Sequence, residues 1–472
     1  MAAEPARSAG PISSVRADPV LRQHINLTAG EGMEFAAFFM KRSSFLYGSL
    51  KLKLALAGTL LTSMVAAGAA ETGWPSYRGP QGDGSTSVSI GSPWSGKGPE
   101  VVWKVKANRG FSSITVSGGV AATLVTRDFE GSDTEFCIAM DPATGKELWA
   151  APLKFAKYRG GGDSGTRDNK GGDGPRSTPA LSDDKVYVYG SSLDLYCFDA
   201  KTGKQLWAVD VASGYEGKNI TWSSAISPVI EDDLVIVCGG GEGAAFLAFD
   251  KNKGTLRWKA GDDTITHATP VVADLHGSRQ AIFFMKSGLT AVAPKTGKIL
   301  WQHPWRFNVS TAASPVVFEN VIYCSAGYGV GSGAFEVKKS GDTFTTQELW
   351  RVEGDSLANH WSTPVAYKGH LYGMFSFKKY GDGPVKCLDI RTGKELWSKD
   401  GFGPGNLILA KDKLLALSDR GELVMIEAKP DAYTELARAD VLDGKCWSTP
   451  TVVPGFIYAR STTEAACFRI QP

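Results

Sequence analysis

Past about residue 111 the chain alternates short apolar runs with polar turns, and no run is long enough for a buried helix. Lys185-Val-Tyr-Val-Tyr189 and Leu195-Tyr-Cys-Phe198 are typical, bounded by Asp183-Asp184, Gly190-Ser-Ser192 and Asp199. Such runs read as short strands. After many of them a nine-residue phrase returns. It is Asp199-Ala-Lys-Thr-Gly-Lys-Gln-Leu-Trp207, repeated as Asp141-Pro-Ala-Thr-Gly-Lys-Glu-Leu-Trp149 and Asp389-Ile-Arg-Thr-Gly-Lys-Glu-Leu-Trp397. Looser copies run from Asp250 to Trp258 and from Ala293 to Trp301. The Asp side chain can cap a turn, Gly supplies a positive φ, and Trp sits on the outgoing strand as a large flat anchor.

Each unit opens with a strand introduced by Ser/Thr-Pro or a related step, near Ser112, Pro179, Pro228, Pro270, Pro315, Pro364, Leu407 and Pro450. A spacing in the forties with four short strands per unit is the signature of a β-propeller. Eight starts predict an all-β, eight-bladed β-propeller of four-stranded antiparallel blades. The last unit has three strands before the chain stops, and Glu100-Val-Val-Trp-Lys-Val105 has no turn phrase before it. This early strand is expected to complete the last blade, closing the circle and leaving no open seam. Units five and seven depart from the pattern. In unit five the turn swells over 337–346 before Trp350. In unit seven Glu427 replaces the Asp, and Ala437 or a neighbour takes the Trp place.

Composition adds a compartment. Lys41-Arg42, Lys51 and Lys53 precede an apolar run from Leu54 to Ala67 that ends in Gly68-Ala-Ala70. That is the order of a secretory signal, with cleavage expected after Ala70 and Met33 or Met40 a better initiator than Met1. The expected layout is an extension and signal peptide over 1–70, a linker over 71–99 and the propeller over 100–472. A periplasmic or secreted protein is the expectation, with no stable membrane span once the signal is cleaved. Formal net charge is only +2, so no basic field exists for nucleic acid. Six of the seven cysteines lie inside apolar strand patterns and read as buried free thiols.

The Asp-x-x-Thr-Gly-x-x-x-Trp phrase resembles the repeat of the PQQ-type, or quinoprotein, propellers over about 100–472. Two branches share it: PQQ-dependent alcohol dehydrogenases, and the non-enzymatic propeller lipoprotein of the outer-membrane β-barrel assembly machinery. The opening Trp74-Pro-Ser-Tyr-Arg-Gly-Pro80 and Gly174-Pro-Arg-Ser-Thr-Pro179 are similar to a group of exported bacterial propellers. The dehydrogenase branch implies a vicinal disulfide over the cofactor and a Ca²⁺ ion held by carboxylate and amide groups. This chain has no Cys-Cys pair and no Cys after its apolar run to accept a lipid. No HExxH or GxSxG phrase suggests hydrolysis.

In a propeller, the residues just before each first strand converge around the central channel. Here they include Arg176, Trp222, His267, Ser310-Thr311, His360, Trp361, Asn406 and Trp447. Arg176, Trp222, His267, His360, Trp361 and Trp447 are the candidate ligand-binding set: aromatic faces stack on a quinone or sugar, while Arg and His bind anionic or carbonyl oxygens. The competing reading is a channel plugged by these side chains for packing alone. The insertion from Lys154 to Arg176 is expected on the same face; its Asp163, Asp168 and Asp173 lack the spacing of a known Ca²⁺ loop. The expectation is a non-catalytic, exported propeller that binds an envelope protein or a small ligand, without cofactor or metal. The alternative is a PQQ-dependent oxidoreductase of alcohols or sugars, using PQQ with Ca²⁺.

Overall fold

The computed structural model describes residues 73–470, except 96, 157–171, 173, 308 and 376. The signal segment, and Asp163, Asp168 and Asp173 of the insertion, lie outside the described residues. Eight sheets follow one another along the chain, each built on four antiparallel strands, so the protein is an eight-bladed β-propeller. Among the described residues the one α-helix is the single turn Val211–Gly214, and no helix is long and apolar enough to cross a membrane.

The circle closes as the strand count requires. Glu100–Lys106 pairs antiparallel with Glu464–Arg469, placing Val101 opposite Phe468 and Trp103 opposite Cys467. The first three strands of blade eight come from the end of the chain and the fourth from its beginning. Arg460, on the second-to-last strand, is fully buried and locks this joint to blade one. Its guanidinium donates to Thr123 Oγ1, the Leu124 carbonyl and the Asn108 carbonyl, at 3.0, 3.0 and 2.7 Å.

The recurrent turn phrase is an inter-blade joint. Asp199 Oδ1 accepts hydrogen bonds from the Lys201 and Thr202 amides and from Thr202 Oγ1, and Asp389 repeats this with Arg391 and Thr392. In five blades the indole N–H of the repeat Trp crosses to the next blade's turn: Trp149 to the Ala200 carbonyl, Trp207 to Lys251, Trp258 to Pro294, Trp350 to Ile390 and Trp397 to Lys429. Trp103 of blade eight closes the set on the Pro142 carbonyl of blade one, at 2.9 Å. The turn glycine is needed for contact as well as for φ. A methyl group at Gly203 would lie 2.6 Å from the Trp149 ring, and one at Gly297 2.5 Å from the Trp258 ring. An indole therefore lies against glycine, and burying it contributes several kcal/mol, at about 25 cal/mol for each Å².

Two units differ as their sequences suggest. In blade seven Ala437 takes the register position of the Trp, opposite Met425. In blade five the swollen turn is an extension of strand pairing, Gly331–Ser340 with Thr343–Val352, not an irregular loop. Trp301 of blade four differs in another way: its indole donates to Gln280 Oε1 of its own blade and meets Phe335 of blade five edge-on. All seven cysteines are buried free thiols.

A second set of joints lies at the channel, where an amide at the start of one blade donates to a Ser or Thr hydroxyl at the start of the next in five of the blade pairs. The Thr449 amide donates to Ser113 Oγ, Ser113 to Thr178 Oγ1, Thr178 to Ser227 Oγ, Ser227 to Thr269 Oγ1, and Ser314 to Thr363 Oγ1. The first strands are thereby linked side to side where blades stand closest together. Each hydroxyl satisfies an amide that no ladder reaches.

Residues expected to form a linker are packed on the propeller instead. Trp74 exchanges both backbone hydrogen bonds with Val116 of blade one and is wholly buried. The Pro75 carbonyl accepts from the Leu181 amide of blade two. Buried Arg78 then donates to the Thr363 and Pro364 carbonyls of blade six, and Ser85–Thr86 pairs parallel with Asn406–Ala410 of blade seven. The segment thus runs from first strands on one side of the ring to first strands on the other. Those strands would otherwise leave ladder groups unpaired at the channel, which explains why a Gly- and Ser-rich stretch is held so firmly. Burial holds the Arg78 guanidinium below its ordinary pKa.

Candidate functional site at the channel mouth

The loops before the first strands, and those after the second strands, meet around a cavity of about 460 Å³. Its wall includes all six residues singled out in the sequence: Arg176 ahead of blade two, Trp222 ahead of blade three, His267 ahead of blade four, His360 and Trp361 ahead of blade six, and Trp447 ahead of blade eight. Ser310 and Asn406 line it as well.

The loops are pinned to one another. Arg176 donates to the Trp222 carbonyl at 2.7 Å, the His267 amide to the Thr311 carbonyl at 2.9 Å, the Ala312 amide to the His360 carbonyl at 2.8 Å, and Asn406 Nδ2 to the Trp447 carbonyl at 2.6 Å. The mouth is consequently a rigid ring with side chains projecting inward.

Sequence reasoning missed part of the wall. Phe111 precedes blade one and stacks on Trp447, with centroids 5.1 Å apart. Tyr328 follows the second strand of blade five, and Lys378 and Tyr380 follow that of blade six. Tyr380 lies parallel to Trp447 at 5.8 Å, and Trp361 parallel to Trp447 at 5.1 Å. These aromatic residues sit in loops that share no phrase. The only available signal was position: loops after second strands open on the same face as loops before first strands. Tyr77, from the packed N-terminal segment, lines this cavity and a smaller one of about 250 Å³ that the same segment borders. The chain's own beginning therefore forms part of the cavity floor.

Both histidines are neutral at ordinary pH. Burial, then the neighbouring Arg176 and His360, hold His267 well below its usual pKa. Burial and Lys378 bring His360 down to about 3. The Gly327 amide points at His360 Nδ1, 3.3 Å away, which requires an unprotonated acceptor there. Among the described residues, His267 Nδ1 and Trp447 Nε1 are buried without a hydrogen-bond partner, and buried polar atoms are ordinarily satisfied.

A Ca²⁺-held quinone does not fit this donor set. No Asp or Glu lines the cavity among the described residues, and the one side-chain amide, Asn406, is already committed to the Trp447 carbonyl. No group of three His, Cys, Asp or Glu residues is placed to hold a metal among the described residues. Cys137, Cys197, Cys238, Cys324, Cys387, Cys446 and Cys467 lie apart in the sequence and inside the structure, so no vicinal disulfide can form.

The repeat on which this geometry is built is shared with known proteins. The family model PQQ_2, described as outer membrane protein assembly factor BamB, matches residues 133–372, just over half of the chain. The chain belongs to the PQQ_2 family. The outer membrane protein assembly factor BamB of Yersinia pestis is 22% identical over 288 residues, covering 59% of this chain and 70% of that protein. The quinohemoprotein alcohol dehydrogenase ADH IIB of Pseudomonas putida is 29% identical over 158 residues, but this chain spans only 21% of its length. The crystal structure of BamB from Moraxella catarrhalis aligns with a TM-score of 0.53 at 17% identity, over 79% of this chain and 97% of that one. At that identity the likeness shows the fold alone.

Proposed function

We propose that this PQQ_2 propeller is a non-catalytic binding protein of the cell envelope, with the aromatic channel mouth as its working surface. The observation that carries the reading is the convergence of one-off side chains from successive blades on a single rigid cavity. Packing alone would leave those loops small and self-satisfied; here two buried polar atoms at the mouth have no partner among the described residues. The names of the assembly-factor relatives support an envelope location and a protein partner, and the secretory order before Ala70 agrees with the location. Among the described residues the mouth presents neutral His267 and His360 and no carboxylate, so these residues supply neither the paired acid and base of a hydrolase nor the metal ligands of a quinoprotein dehydrogenase.

The mechanism is that of a preorganised platform. Hydrogen bonds between loops fix the ring before anything arrives, so little ordering entropy is lost on binding. Trp222 and Tyr328 supply the half-exposed aromatic surface that desolvates on contact.

Affinity capture of the tagged, full-length protein from its own envelope tests the reading. A defined envelope protein should be retained by the native chain and lost from the Trp222→Ala/Tyr328→Ala double variant. Equal retention by both would remove the mouth from the interaction. Tight uptake of PQQ and Ca²⁺ with reduction of a dye by alcohols would overturn the reading in favour of an oxidoreductase.

A further inference from the structure

The charge pattern of the mouth restricts what can enter it. Arg176 stands ahead of blade two and Lys378 after the second strand of blade six. In a ring of eight these blades are diametrically opposed. Each cation belongs to a similar trio. Arg176 stands with Trp222 and His267, whose rings are 6.5 Å apart; Lys378 stands over Tyr328 at 4.6 Å, and Tyr328 meets His360 edge-on at 5.1 Å. Lys378 is exposed and makes no ion pair among the described residues, and no carboxylate lines the cavity among them. Lys378, which lines a low-dielectric, aromatic-walled cavity with no counter-charge among the described residues, attracts an anion more strongly than the same group in water.

The remaining wall selects for a flat or weakly polar body. Trp222 and Tyr328 are 38% and 44% exposed, so ring faces are available for stacking. His267 Nδ1 and Trp447 Nε1 supply hydrogen-bonding atoms that are unmatched among the described residues, and both atoms are buried at the wall. A volume of about 460 Å³ suits a small molecule, not a folded element. With Tyr77 on the floor, the cavity is entered from the loop face.

We propose that the mouth binds a small organic anion, a flat-faced body carrying a carboxylate, whose charge is held by Lys378 while the body stacks on the exposed ring of Tyr328 or of Trp222 across the cavity. This rests on the mouth being a binding surface, and it adds the charge and size of what binds. Two sources share the chemistry: a sugar acid, which stacks through C–H bonds, and an aromatic acid, which stacks through its ring.

The test is calorimetric titration of the signal-free protein with two matched pairs, glucuronate against glucose and 4-hydroxybenzoate against phenol. At least one acid should bind with an affinity tenfold or more above that of its neutral partner, and which pair responds identifies the source. The preference should weaken as NaCl is raised from about 20 to 500 mM. Lys378→Gln should reduce acid binding at least tenfold and leave the melting temperature unchanged. Equal binding of acid and neutral partner would overturn charge selection while leaving the mouth a binding surface. Failure of both acids to bind at 10 mM would overturn the proposal, and capture of an envelope protein by the same preparation would show that the broader reading survives without it.

Discussion

The rim and the mouth are both rings to which successive blades contribute, but they repeat different things. At the rim the residue repeats: Trp149, Trp207, Trp258, Trp350, Trp397 and Trp103 each donate to a carbonyl in the next blade's turn. At the mouth only the position repeats, and Arg, Trp, His, Asn and Phe take turns there. A joint must solve one packing problem eight times, so one solution suffices. A recognition surface must face one asymmetric partner, so identical residues would serve it badly. Blade seven marks the boundary: Ala437 stands at the Trp position, and that blade instead gains the parallel strand Ser85–Thr86 on its opposite edge.

The contrast breaks most sharply under deletion of a ring. Trp258→Ala at the rim should cost about 3–5 kcal/mol in chemical denaturation, through the lost burial and the cavity left behind. Trp222→Ala at the mouth should change stability by less than about 1 kcal/mol. Equal losses would mean that the mouth is packing after all.

Acid sensitivity should come next. The folded state keeps His360 unprotonated down to about pH 3, whereas in the unfolded chain it protonates near the ordinary histidine pKa of 6.5. Unfolded chains therefore bind more protons as the pH falls below about 6.5, and stability declines from there towards pH 3. The decline should reach a few kcal/mol at most. His360→Gln should flatten that limb in pH-dependent urea denaturation, and an unchanged slope would show that His360 is not buried as described.

Gly203→Ala should destabilise by about 1–3 kcal/mol, because it combines a positive φ with a methyl group pressed against Trp149. Gly118→Ala, at positive φ with open space around it, should cost less, about 1 kcal/mol. A matched loss at both sites would assign the rim glycine to turn conformation alone. The smallest stability effect, and the clearest effect on binding, is expected of Lys378→Gln, which alters charge at the mouth and touches no joint.

Much of the rim was legible beforehand. The Asp-to-Trp phrase, the spacing of Ser/Thr-Pro steps and the missing fourth strand of the last unit together led to eight blades and to the Val101–Val105 closure, because local turn chemistry and strand period are encoded within a few residues. The mouth was legible by position only. Arg176, Trp222, His267, His360, Trp361 and Trp447 could be placed on one face because every blade follows the same connection order. Tyr328, Lys378 and Tyr380 could not, since they precede no Ser/Thr-Pro step and vary in spacing from the strand before them. The role of Trp74-Pro-Ser-Tyr-Arg-Gly-Pro80 was hidden for a different reason. Its partners, Val116, Leu181, Thr363 and Pro364, are scattered along the chain and become neighbours only when the circle closes.

Local order, then, belonged to the amino acids in their immediate company: where strands run, where they turn, and which flat rings lie at the joints. Contacts between distant segments waited for the ring to form. Only then did Arg176 and Lys378 stand across a common space, Tyr77 become part of its floor, and burial hold two histidines neutral. Turn and strand preferences act over a few bonds, whereas charge, desolvation and enclosure depend on what the whole fold brings near.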